Sequence, residues 1–177
     1  MNMTDANQVE AGGSEAKIQI RLKAGREKQI LRGSAWVFSG AIEETDGAGS
    51  AGEVVDVFDV EGEWIGRGLW HPEADMAVRM FTQDPKEVLN EAFFRGRVRR
   101  AVAMRHRLFG TSSDWASTTA YRMVFSEADG LSGLIADQYA DVVALHVGGK
   151  VWEPWLPAVV AELKAATGAS CVSVRAD

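Results

Sequence analysis

The hydrophobic pattern changes period at one point, and that change limits the folds open to the chain. Up to Thr82, apolar residues recur at every second position in short runs broken by glycine or proline; after Pro85 they recur with helical spacing as far as Phe109. Ile18-Gln19-Ile20-Arg21-Leu22 alternates as a half-buried strand with Ile18, Ile20 and Leu22 inward. Gly52 to Val60 is a strand by its β-branched content, and Glu61-Gly62-Glu63 is the turn of a hairpin. Trp64 to Trp70 returns until Pro72 breaks it, and Met76 to Phe81 alternates again. Short strands at this spacing predict a small barrel ending near Thr82. Glu43 to Ala51, rich in Gly, Ala and acid, reads as a loop between strands.

Other elements follow from local signals. Gly25 to Gly33 is a short basic helix, opened and closed by its glycines, and Trp36-Val37-Phe38 begins another extended segment. From Lys86 to about Phe109 a long helix carries Phe94, Val98, Ala101, Leu108 and Phe109 on one stripe. Arg99, Arg100 and Arg107 lie opposite, Arg95 and Arg97 flank, and Arg105 falls on the stripe, where it calls for a buried carboxylate. Thr111 to Thr119 is a polar linker. Strands are then predicted at Tyr121–Phe125, Leu134–Ala136, Asp141–Val147 and Cys171–Val174, with an amphipathic helix from Trp152 to Ala166 capped by Gly168. The class is α+β: a small β pseudo-barrel, a long helix and a small α/β unit. Expected boundaries are a disordered leader at 1–16, the barrel at 17–82, the linking helix at 83–110 and the α/β unit at 111–177, taken as incomplete.

Net charge is −6, yet six arginines and no acid lie between Arg95 and Arg107. Local potential, not bulk charge, governs association with a polyanion. A second basic group, Arg26, Lys28 and Arg32, stands beside Trp36. For both groups two readings stay open: solvated or internally paired faces, or contacts to phosphate with an aromatic ring to stack a base. A single cysteine, Cys171, excludes a disulfide within the chain and a multi-cysteine zinc site, and it reads as a small buried strand residue. No signal peptide is evident, no apolar run approaches the ~20 residues of a membrane span, and a cytoplasmic location is expected.

Several motifs match only by letter. Gly47-Ala48-Gly49-Ser50-Ala51-Gly52 fits the dinucleotide pattern, but a β-rich run follows it where a helix N-terminus is required. Gly130-Leu131-Ser132-Gly133-Leu134 lacks the second glycine of a nucleophile elbow. His71, His106 and His146 have no metal spacing. Glu127, Asp129 and Asp137 surround one turn; carboxylates there cap backbone N–H groups more often than they hold a cation or move protons. No catalytic or metal-binding residue and no bound cofactor is therefore expected.

Taken in order, these residues resemble a family. Gly25-Arg26-Glu27-Lys28-Gln29-Ile30-Leu31-Arg32-Gly33, Trp36 to Ile42, Gly52 to Val57, Ile65 to Gly68, His71-Pro72 and Val78-Arg79 resemble the opening of PUA-containing, class I SAM-dependent rRNA cytosine-5 methyltransferases. Phe93-Phe94 with Arg97, Ala101 and Arg105 resembles that family's linking helix, and Arg122-Met123-Val124 with Glu127 to Tyr139 resembles the start of its second domain. The resemblance implies an RNA-binding PUA pseudo-barrel, a central α/β domain, and a methyltransferase domain encoded downstream that would bind SAM and carry the catalytic cysteine. Taken with the two basic groups, the candidate contacts to rRNA are Arg26, Lys28, Arg32, Trp36, Arg79, Arg95, Arg99, Arg100 and Arg107, and there is room for a homodimer. The chain departs from the pattern at Ser34-Ala35, where the family shows His-Pro, at Ser132, where it shows Pro, and at Ala140, where it shows Gly. The expected function is the RNA-docking part of a 23S rRNA methyltransferase without activity of its own; the alternatives are a free-standing RNA-binding module and a scaffold.

Overall fold

The computed structural model describes residue 16, residues 18–109 and residues 118–176. The expected leader and the Thr111–Thr119 linker thus lie almost wholly outside the described residues. The first sheet takes β1 (Ile18–Leu22), β2 (Trp36–Phe38), β3 (Ile42–Asp46), β4 (Val54–Phe58), β5 (Trp64–Trp70) and β6 (Met76–Thr82), in the order β2-β6-β5-β4-β1-β3. It curls into a half-barrel. Its two edge strands, β2 and β3, are consecutive in the chain and joined by the 3-10 turn Ser39–Ala41. Ile18, Ile20 and Leu22 point inward as alternation requires, and they pack with Val37, Val55, Val57, Ile65 and Val78. α1 (Glu27–Leu31) packs on the half-barrel through one buried residue, Ile30.

A second sheet has the order β10-β9-β8-β7, from β7 (Ala120–Phe125), β8 (Leu134–Tyr139), β9 (Val142–Val147) and β10 (Cys171–Ala176). α2 (Glu91–Phe109) and α3 (Leu156–Thr167) pack together, and both contribute to the core that this sheet shares. β9, α3 and β10 form a parallel crossover, in register from Val142↔Cys171 to Val147↔Ala176. The two sheets are not independent. Leu69 and Phe81 of the first belong to the core of the second. Phe81, Phe94 and Trp152 meet edge to face, with ring centroids 5.1–5.5 Å apart, a geometry that adds about 0.5–1.5 kcal/mol per pair beyond area burial.

Five local expectations are corrected. Glu43–Asp46, expected in a loop, belongs to strand β3, paired antiparallel with β1; as an edge strand it leaves Glu43, Glu44 and Asp46 exposed, so no alternation marks it. The long helix begins at Glu91, not Lys86, because the Asn90 side chain accepts the Phe93 N–H (2.9 Å) as a cap. On α2 Val102 is buried, whereas Leu108 is 59% exposed. Lys150–Trp155, which contains Pro154, is 3-10, and the α-helix starts only at Leu156. Cys171 is exposed, because β10 forms a sheet edge.

The GxGxxG-like loop acquires a structural use. Gly52 has φ +90°, and a Cβ there would lie 2.7 Å from Pro154 Cδ and from the Val151 carbonyl oxygen. Its own carbonyl accepts the Trp155 indole N–H (2.9 Å). The loop is therefore a close-approach contact between the two units. Gly52→Ala should cost about 1–3 kcal/mol, from strain at positive φ together with the clash, read as a lower midpoint in urea denaturation. Ala140 holds φ 52° in the two-residue turn between β8 and β9. Ala140→Gly should raise stability by about 0.5–1 kcal/mol, because that conformation costs an alanine more than a glycine; an unchanged midpoint would contradict it.

Candidate nucleic-acid interface

α1 owes its position to Ile30. Burying that side chain turns Arg26, Lys28, Arg32 and Leu31 outward; Leu31 is 58% exposed. The helix end is fixed from two sides. Gly33, at φ +96°, lets the Gly33 and Ser34 N–H groups return to the carbonyls of Ile30 and Gln29, and the side chain of Gln83, just after β6, donates to the Ile30 carbonyl (2.5 Å). β2 then presents Trp36 and Phe38, 38% and 48% exposed, with Val37 buried between them. Arg26, Trp36 and Phe38 line one groove of about 230 Å³. The structure thus leaves Arg26, Lys28 and Arg32 exposed in and around α1, and of these Arg26 shares a groove with the exposed rings of Trp36 and Phe38.

Arg79 is opposite Trp36 in the register of β2 and β6, yet it does not face solvent like the α1 residues. Its guanidinium donates to the Ser132 hydroxyl (3.3 Å) and the Gly148 carbonyl (2.6 Å) of the second unit. Desolvation lowers its pKa, against the opposing pull of Glu127. The α2 arginines are mostly engaged. Arg95 pairs with Glu91 (3.4 Å), and Arg99 makes two bonds to Glu162 (2.8 and 3.1 Å). Arg97 donates to the Gly130 and Phe81 carbonyls (2.7 Å each) and lies 4.3 Å over the Phe93 ring. Arg105 meets the buried Asp129 carboxylate, the partner its place on the apolar stripe required. Arg107 also has interactions within the molecule. Arg100 is exposed and forms no ion pair with a described residue. The helix is therefore not a rail of six open guanidinium groups, because carboxylates distant in sequence fold back onto it.

Sequence reasoning missed the side chains that join the two units. The Trp36 indole N–H donates to Glu127 Oε1 (3.1 Å) and the Ser132 hydroxyl (3.2 Å), and Ser132 donates to the same Glu127 oxygen (2.8 Å). Burial works against the Glu127 carboxylate, but hydrogen bonds from Ser126, Ser132, its own backbone and Trp36 outweigh it and hold its pKa below the ordinary value. A cleft of about 310 Å³ lies here, lined by the Gly33–Ala35 turn, β6, Arg97 and Glu127. Ser34, Ala35 and Ser132, three positions where the chain departs from the pattern it resembles, all line it. The three turn carboxylates act separately: Asp129 takes Arg105 and the Phe125 N–H, Asp137 takes Arg122, and Glu127 takes Trp36. Among the described residues no group of three or more His, Cys, Asp or Glu comes together to hold a metal ion.

A carboxylate with a depressed pKa stabilises the fold above its unfolded value, and that contribution is lost as pH falls through the folded value. The Trp36–Glu127 contact should therefore be present at neutral pH and be lost in acid, below the ordinary carboxylate range. The check is an acid titration of tryptophan emission: the component removed by Trp36→Phe should titrate below the ordinary glutamate value and disappear in Glu127→Gln.

Comparison with known proteins agrees with this geometry. Residues 20–83 match the PUA-like domain family. The chain is 39% identical over 147 residues to a ribosomal RNA large subunit methyltransferase I of Shewanella denitrificans, a match covering 82% of the chain and 36% of that protein. It is 40% identical over 129 residues to the protein of the same name from Alteromonas mediterranea, covering 73% and 32%. A solved structure described as a putative SAM-dependent methyltransferase from Streptococcus mutans shares the fold, with TM-score 0.71 and 17% identity over 89% of this chain and 40% of that one. The chain thus spans about a third of the length of the curated relatives it matches. Residues 20–83 are a PUA-like domain, and the chain is similar to the N-terminal part of the ribosomal RNA large subunit methyltransferase I proteins.

Proposed function

We propose that this chain is the RNA-docking part of a SAM-dependent methyltransferase acting on cytosine-5 in 23S rRNA, working in the cytoplasm beside a methyltransferase domain. The observation that carries the reading is the exposed Arg26, Lys28 and Arg32 in and around α1, with Arg26 on the groove of the exposed Trp36 and Phe38, on a unit that matches PUA-like domains. Cations grip the sugar-phosphate chain and rings stack unpaired bases. Exposed Arg100 on α2, with Arg99 (65% exposed although paired), supplies a secondary contact. No helix among the described residues is long and apolar enough to cross a membrane.

SAM supplies an electrophilic methyl group to such enzymes. The described residues do not fit it in the usual way, because the only glycine-rich loop of the right pattern leads into β4 and not into a helix N-terminus. This portion is assigned docking and no chemical step.

The test is fluorescence anisotropy with a 23S rRNA fragment at two salt concentrations. Changing Arg26, Lys28 and Arg32 together to Gln should weaken binding at least about tenfold and flatten the salt dependence by about two units of log–log slope. Changing Arg95, Arg99 and Arg100 together to Gln should have the smaller effect. Binding that ignores salt would favour the scaffold reading, and equal loss in both variants would return α2 to the primary surface.

A further inference from the structure

The cleft beside Glu127 has a chemistry opposite to that of α1. Its cation is not available: the Arg97 guanidinium is turned onto the Gly130 and Phe81 carbonyls, and Gly130 leaves no room for a side chain, since a Cβ there would lie 2.3 Å from Arg97 Nη1. The charged group left at the opening is the Glu127 carboxylate, kept ionised by its hydrogen bonds. A phosphate would be repelled there, whereas a flat ligand rich in N–H donors would be held. At about 310 Å³ the cleft lies at the low end of the range of small-molecule sites, roughly 300–1,000 Å³. It also adjoins the basic helix, because Gly33, which lines it, directly follows Arg32.

We propose that this cleft receives one unpaired, amino-bearing nucleobase of the docked RNA, guanine by preference, with Glu127 Oε2 accepting its N–H donors while Oε1 keeps those of Trp36 and Ser132. Guanine offers adjacent N1–H and N2–H groups to a carboxylate. Uracil offers one N–H flanked by two carbonyl oxygens, which the carboxylate repels. The α1 cations hold the backbone while the cleft reads a base, the division of labour between positioning and specifying contacts. The proposal rests on the RNA-docking reading. Trp36 is a built-in reporter, since its ring lines the neighbouring groove and its N–H is on Glu127.

The experiment titrates the chain with GMP and UMP by tryptophan emission, and with short single-stranded oligonucleotides that differ only in G or U content by anisotropy. GMP and G-bearing oligonucleotides should bind about five- to tenfold more tightly than their U counterparts. Glu127→Gln, which keeps the shape and an oxygen for Trp36, should abolish the preference and leave salt-dependent RNA binding in place. Should that variant not fold, amide hydrogen exchange of the unaltered protein decides: protection at residues 33–35 by GMP and not by UMP supports the proposal, and its absence overturns it. Equal binding of G and U, or a preference that survives Glu127→Gln, also overturns it. If RNA binds with salt dependence but without base preference, only the cleft proposal falls. If no oligonucleotide binds, the docking reading falls, and the GMP titration still judges the cleft.

Discussion

The contact between Trp36 and the Glu127–Ser132 pair joins the candidate interface to the second unit. It spans 91 residues of sequence and fastens an edge strand of the half-barrel to a turn of the second unit. Arg79 adds a second fastening, and the rings of Phe81, Phe94 and Trp152 fill the apolar part of the junction. The division is physical. Burial of the rings supplies the stabilisation, about 1.5–3 kcal/mol for a side chain such as Phe81. The hydrogen bonds supply orientation, because a buried donor without its acceptor would cost more than the bond itself gains. The cleft beside Glu127 exists only in this relative placement, whereas the groove beside α1 is built wholly from the half-barrel.

Electrostatics inside the molecule decides which positive surface remains open. The chain is acidic overall, and its carboxylates are not spread evenly over its cations. Glu91, Glu162 and Asp129 engage arginines of α2, and Asp56 engages the buried Arg67 (2.8 Å) within the barrel. Arg26, Lys28 and Arg32 form no ion pair with a described residue. On the proposed reading a phosphate backbone meets Lys28 of the five-residue helix and Arg26 and Arg32 at its two ends, although the helix of nineteen carries more arginines.

Much of the fold was legible because its signals are local. Alternation marked β1 and β6, β-branched content marked β4, the hairpin turn marked β5, and Gly168, at φ +70°, marked the end of α3. The family resemblance rested on the same local runs and led to the PUA-like domain. What escaped was non-local. β3 lacks alternation because both faces of that edge strand are solvated over Glu43 and Glu44. Arg99 looked like a free face because its partner, Glu162, is 63 residues away on another helix. Glu127 looked like a turn cap, as Asp129 proved to be, and nothing near it in sequence announces that it reaches Trp36.

The most direct test of the account is the position of the RNA on the folded protein. Ultraviolet crosslinking of a labelled 23S rRNA fragment to the intact chain, followed by peptide mapping, locates it. The account predicts crosslinks concentrated between residues 26 and 38, with Trp36 and Phe38 as the principal sites. Crosslinks confined to residues 95–107 of α2, with none near α1, would contradict it.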